Sequence, residues 1–160
     1  MTVPDDRTRE FQVRILGWLK GDVDAAALCM NLIYVAHLWD DLIDRDKERA
    51  DAEINMAFRI ALFDIPANPF YVKFSRLLQP QILSVILQYE AANVLERQGN
   101  AGQKGAAYAM RNAVLHVVGT CIYAVGGQEW YDTASVEFYE FLSENTEEEF
   151  RFFLKEMDHA

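Results

Sequence analysis

Apolar side chains along this chain recur at spacings of three and four, and no stretch alternates with period two over a convincing length. Phe11, Ile15, Trp18 and Leu19 follow helical spacing after a polar lead-in over residues 2–9, and Gly21 stops that helix. Asp22 or Asp24 can cap a long, strongly apolar helix that begins near Ala25 and runs into the charge-dense segment Arg45–Arg49. Ile54, Ala57, Phe58, Ala61 and Leu62 mark a third helix that ends before Pro66, with residues 65–69 as a loop. Asn68 followed by Pro69 is a cap and first turn for a helix from Phe70 to Gln79. Pro80 either opens a new helix or kinks the old one, and the pattern continues to about Gln98 with Ile82, Val85, Ile86, Tyr89 and Val94 inward.

Beyond Gln98, residues 99–105 (GNAGQKG) read as a glycine-rich loop. A helix over Ala106–Val125 follows, ended by Gly126-Gly127. Ser135 can cap a short helix over Val136–Leu142. Thr146 to Glu149 form a capping box for a last helix packed down by Phe150, Phe153, Leu154 and Met157. No internal repeat or linker divides the chain. The pattern therefore predicts an all-α fold, one single-domain bundle of about seven helices over residues 1–160.

The long second helix carries the main chemical clue. It is apolar for most of its length and ends in HLWDDLIDRD, where Asp40, Asp41 and Asp44 form a DDxxD pattern. On a helical wheel with Asp40 at zero, Asp44 lies at roughly 40°, His37 at roughly 60° and Asp41 at roughly 100°. Ile33, Met30 and Ala26 lie upstream on the same face. Carboxylates at a helix C-terminus meet the negative end of its dipole and raise one another's pKa. A hard cation such as Mg²⁺ relieves both problems, because it takes oxygen ligands and fills its remaining positions with water or phosphate oxygens. The competing reading is that the acids reach solvent, with Arg45, Lys47 and Arg49 as exposed partners worth little each.

HLWDDLIDRD after an apolar helix resembles the first aspartate-rich motif of class I isoprenoid synthases, which include the polyprenyl diphosphate, squalene and phytoene synthases. The resemblance implies that Asp40, Asp41 and Asp44 hold Mg²⁺ ions that bind a substrate diphosphate, with Ile33, Met30 and Ala26 lining an apolar pocket for a prenyl tail. It covers about ten residues, and family members are about twice as long as this chain. They also carry a second acidic motif. The nearest segment here, Gln88–Gln98 (QYEAANVLERQ), lacks the acid pair.

Other residues extend the candidate site. Glu90, Asn93 and Arg97 share one helix face, so Glu90 and Asn93 can complete a metal site and Arg97 can bind diphosphate. Tyr108, Arg111, Asn112 and His116 form a polar stripe on an otherwise apolar helix, and Arg111 and His116 can supply the positive charge the aspartates lack. His37 lies within the acidic face, where neighbouring carboxylates favour its charged form and make it a candidate counter-ion.

Composition narrows the function classes. A net charge of −10 without a basic patch argues against nucleic acid and against an anionic membrane surface. The longest apolar run, Ala113–Gly127, is too short to span a bilayer, so no stable membrane insertion is expected. Cys29 and Cys121 fall inside apolar stretches and read as buried free thiols of a reducing compartment. With the polar start MTVPDDRTRE, this places the protein in the cytoplasm. No GxSxG, CxxC or Walker pattern is present. Three functions remain. One is an isoprenoid-synthase relative, reduced or degenerate, acting on a prenyl diphosphate. Another is an all-α Mg²⁺-dependent nucleotide pyrophosphatase, a class that often builds its site in a homodimer but whose glutamate-rich motif is missing. The third is a non-catalytic interaction or assembly protein in which the acidic cluster is structural.

Overall fold

In a computed structural model of the chain, residues 6–45, 47–143 and 151 are described, and none of them forms a strand. They build six helices: α1 (Asp6–Trp18), α2 (Val23–Asp44), α3 (Asp51–Arg59), α4 (Pro69–Gln98), α5 (Ala101–Arg111) and α6 (Val114–Ser143). The helix α3 is carried on through a π turn (Ile60–Asp64) and one further turn (Ile65–Ala67). The all-α expectation holds. The capping box at Thr146 and the last helix packed by Phe150, Phe153, Leu154 and Met157 lie outside the described residues.

Local chemistry explains most boundaries. After Trp18 the chain turns through Lys20 (φ 55°) and Gly21 (φ 77°), the second of which costs glycine little. The Asp22 carboxylate accepts from the Ala25 N–H at 2.9 Å and so starts α2. Asn68 caps α4, accepting from the Tyr71 N–H at 2.9 Å, while Pro69 occupies the first turn. The Asn68 amide also donates to the Asp24 carbonyl at 2.9 Å, so one buried side chain ties the beginnings of α2 and α4 together.

Elsewhere the local reading needs correction. Residues 101–105 are helical, because Asn100 and Gln103 form a reciprocal cap at 3.1 and 2.8 Å that outweighs the cost of two glycines. The helix expected over Ala106–Val125 is broken after Arg111, where Asn112 leaves helical geometry (ψ 5°). Residues 65–67 add a helical turn instead of a loop. Of the two outcomes expected at Pro80, a new helix does not open there; α4 runs through it, with its kink at Phe74 (φ −109°, ψ 18°), six residues upstream. Gly126-Gly127 ends the regular helix as expected, with Gly127 outside helical geometry (φ 72°, ψ −169°), but helix resumes directly after it and runs to Ser143. Ser135 lies buried inside the continuing helix and caps nothing.

The core sits around α2. Leu28 and Cys29 of α2 meet Ile15, Trp18 and Leu19 of α1, Leu78 of α4, and Val117, Val118, Cys121 and Ile122 of α6. By length and composition α2 could cross a membrane, but here Ala25, Ala26, Leu28, Cys29 and Leu38 are buried within the bundle. Cys29 and Cys121 are free and fully buried. The neighbouring Cys121 thiol and burial together push the Cys29 pKa well up, which leaves it an unreactive thiol. On α4 the inward face runs through Leu78, Tyr89 and Ala92, with Ile82 and Val85 packed beside it. Ile86 and Val94, expected inward, are exposed. Ile82, Val85 and Tyr89 face inward as expected, and Ala92 takes the inward place expected of Val94.

Candidate functional site

The acidic end of α2 does not gather its three aspartates around one point. Asp41, only 6% exposed, turns toward the segment that follows the helix. Arg45 ends α2 in the left-handed conformation (φ 58°), its N–H bonded to the Asp41 carbonyl at 3.0 Å, and this reverses the chain. Arg49 then returns to form a close ion pair with Asp41 through its Nη2, and Lys47 Nζ adds a second at 3.3 Å. Arg49 also reaches Glu53 at 3.3 Å, and Glu53 accepts from the Ala50 N–H at 3.0 Å at the start of α3. The Asp41 carboxylate raises the Arg49 pKa further above its usual value. Sequence reading treated Lys47 and Arg49 as solvated, low-value partners; burial of Asp41 makes that ion pair a structural one.

Asp40 and Asp44 face the other way, toward α4 and α5. The two-residue link Gly99-Asn100 folds α5 back along α4 and places Arg111, in the last turn of α5, above Tyr89. Arg111 Nη1 lies 3.1 Å from Asp40, and Nη2 bonds both oxygens of Asp44 at 2.9 and 2.7 Å. Nη2 also donates to Asn93 Oδ1 at 3.2 Å, and Nε lies 2.7 Å from Glu96. The guanidinium carbon sits 5.6 Å from the Tyr89 ring centroid, a cation–π arrangement. Tyr89 in turn donates its hydroxyl to Asp40 at 2.8 Å and packs against Trp39 with ring centroids 4.4 Å apart. One guanidinium, 16% exposed at its side chain, therefore serves three carboxylates and an amide from two helices.

Burial governs the electrostatics of this node. It pushes the Asp40 and Glu96 carboxyls above the usual carboxylate range, against the downward pull of Arg111. Tyr89 is raised by the same burial and by its bond to Asp40. Burial opposes the charge of Arg111, but Asp44, Asp40 and Glu96 outweigh it and hold its pKa above the usual value. A carboxyl whose pKa is higher folded than unfolded binds protons more tightly in the folded chain. Its stabilising contribution is full below the unfolded value, near pH 4, and is lost as pH rises through the folded value. The melting temperature of wild type minus that of Asp40→Asn should therefore become more positive as the pH is lowered from 7 to 4. A difference that shrinks on acidification would show that Asp40 is not held in a proton-favouring setting.

The remaining expectations divide. Arg111 supplies the positive charge, as the polar stripe suggested. His116 does not: it lies on α6 with Nδ1 3.4 Å from the Tyr139 hydroxyl, away from the aspartates. His37 is exposed at its edge, and crowding by neighbouring protein lowers its pKa more than Asp40 and Asp41 raise it. It is not the counter-ion, because Arg49, Lys47 and Arg111 already fill that role. Asn93 joins the node, whereas Glu90 and Arg97 are exposed on another face of α4. Ile33 and Met30 pack against the core instead of lining a cavity beneath the aspartates. The residues missed by sequence reading are Tyr89 and Glu96. They follow the same three-and-four spacing as Glu90 and Arg97, one position earlier, so the apolar register of α4 was the signal that could have found them.

Among the described residues no three His, Cys, Asp or Glu side chains converge as metal ligands. The donor set at the DDxxD pattern does not fit Mg²⁺ as arranged, since Asp41 diverges from its neighbours and the oxygens of all three aspartates face cationic side chains. A groove of about 590 Å³ lies elsewhere, between α4 and α6, lined by residues including Gln81, Gln88, His116, Thr120, Tyr131 and Tyr139. Comparison of the chain with protein-family models, curated proteins and solved structures returns no match.

Proposed function

We propose that this chain is a non-catalytic helical interaction or assembly protein in which the DDxxD cluster is a structural latch. The observation that carries this reading is the capture of Asp40 and Asp44 by Arg111, and of Asp41 by Arg49 and Lys47. The charge problem posed by the end of α2 has an internal solution, so a cation is not required to make the helix foldable. Exposed apolar side chains support the same reading. Phe58, Leu62 and Phe63 on α3 and its extension, and Leu83, Leu87 and Val94 on α4, are all more than half exposed, and each group offers apolar area to another macromolecule.

Thermal unfolding with Mg²⁺ and inorganic diphosphate, or with Mg²⁺ and a prenyl diphosphate, tests this against the Mg²⁺–diphosphate reading. A ligand that binds only the folded chain raises its melting temperature. We expect no shift in wild type or in Asp40→Asn/Asp44→Asn, with the double variant less stable than wild type in every buffer. An upward shift in wild type that the double variant loses would overturn the structural reading and make the cluster a metal–diphosphate site.

A further inference from the structure

The solvent face of α4 has a self-complementary pattern. Downstream of the kink at Phe74, Arg76, Gln79, Leu83, Ile86, Leu87, Glu90 and Val94 fall within about 60° of one line along the helix. Leu83, Leu87 and Val94 are 57%, 55% and 55% exposed, and Ile86 is also exposed. Arg76 and Glu90 stand seven residues to either side of Leu83, both exposed and neither in an ion pair with another described residue. A spacing of seven is two helical turns, so the two charges project from the same face at equal distances from Leu83. Arg97 lies farther along the same face and is also exposed, so the whole stripe carries two cations and one anion; the central segment around Leu83 sets Glu90 against Arg76, although the whole chain carries −10.

We propose that α4 pairs with α4 of a second copy of this chain, antiparallel, with the two-fold axis at Leu83. In that register Leu83 meets Leu83, Leu87 meets Gln79, and Arg76 of each copy faces Glu90 of the other, giving two opposite-charge pairs. Two alternatives are worse by the same arithmetic. A parallel pair sets Arg76 against Arg76 and Glu90 against Glu90. Moving the axis toward Leu87 leaves both charges without a partner. A closed two-fold interface uses one patch twice, which is why self-complementarity of a single helix face points to a second copy. The proposal rests on the reading of the chain as an interaction protein and names its partner.

Sedimentation of the full chain across a concentration series tests it. Wild type should dimerise. Arg76→Glu and Glu90→Arg should each weaken the dimer by about tenfold, since each turns two attractive pairs into repulsive ones. The double variant Arg76→Glu/Glu90→Arg should recover the wild-type constant, because the exchanged charges again face opposites. Leu83→Cys should form a covalent dimer under mild oxidation, and Leu87→Cys should not. Cys29 and Cys121, being fully buried, stay out of that reaction. A wild type that remains monomeric, or a dimer indifferent to the charge exchange and uncrosslinked through position 83, overturns the proposal. Both outcomes leave the latch reading intact, since that depends on the separate response to Mg²⁺ and diphosphate.

Discussion

Arg111→Met is expected to lower the stability of the chain by about 1–3 kcal/mol, less than the cost of removing one partner of a fully buried ion pair because Asp40 and Asp44 are 38% and 30% exposed and water screens them. For a domain of this size that is a fall in melting temperature of roughly 2–12 °C. The reason lies in what remains. Arg111 lies against Asp40, Asp44 and Glu96 together, and the variant leaves three carboxylates facing one another across the junction of α2, α4 and α5. Methionine keeps most of the side-chain length over Tyr89, so the loss reports charge more than packing. Burial already pushes Asp40 and Glu96 toward their protonated forms, and loss of the guanidinium should push them further. The destabilisation should therefore be smaller at pH 4 than at pH 7.

A companion variant separates the latch from a generic defect. Arg111→Met combined with Asp40→Asn, Asp44→Asn and Glu96→Gln removes the uncompensated charges along with the cation. Replacement of a whole buried ion cluster is often close to neutral, whereas removal of one member is costly. Most of the lost stability should return in the quadruple variant, measured by thermal unfolding at neutral pH. If the quadruple variant is no better than Arg111→Met alone, the carboxylates are not held in place by Arg111 and the latch is wrong.

Phe138→Ala is the second large effect, expected at about 3–5 kcal/mol. Phe138 has no exposed surface and lies edge-on to Trp18 with ring centroids 5.3 Å apart. Trp18 is also 5.7 Å from Phe141, and Phe11 stands 6.1 Å from Phe141. These rings hold α1 against the second half of α6. They reach one another because Gly127 (φ 72°) bends α6 and lets Trp130 donate its Nε1–H to the Trp18 carbonyl at 2.8 Å. Truncating Phe138 opens a cavity among neighbours that cannot collapse into it, so the transfer and cavity terms add. Urea unfolding should show a lower midpoint with an unchanged slope, because the surface exposed on unfolding is nearly the same. A loss below about 1 kcal/mol would mean that α1 is not docked through this cluster.

Much of this architecture is legible in short stretches of sequence, and the reason is distance along the chain. The caps at Asp22 and Asn68 act within three residues, and so does the stop at Gly21. The apolar length of α2 and its acidic end are likewise local patterns that periodicity reveals. The misread segments are those where two local signals compete. Glycines at 102 and 105 argued for a loop while Asn100 and Gln103 capped a helix, and the reciprocal hydrogen bonds won. Gly126-Gly127 does interrupt the helix, but the next helical stretch begins directly after Gly127 and not at a cap on Ser135.

The fate of the aspartates belongs to the tertiary structure. Asp44 and Arg111 are 67 residues apart, and Asp40 and Tyr89 are 49 apart, so no window of the sequence contains the contact. The sequence by itself determined that a buried helix ends in carboxylates needing compensation. It did not determine whether a cation from solvent or from the chain supplies it, because that depends on how α5 folds back on α4 and how Arg45 reverses the chain. Charge falls off with distance in space and is indifferent to distance in sequence. Local propensity builds the helices, whereas the packing of α2, α4 and α5 decides that Arg111 and Arg49 reach the acids.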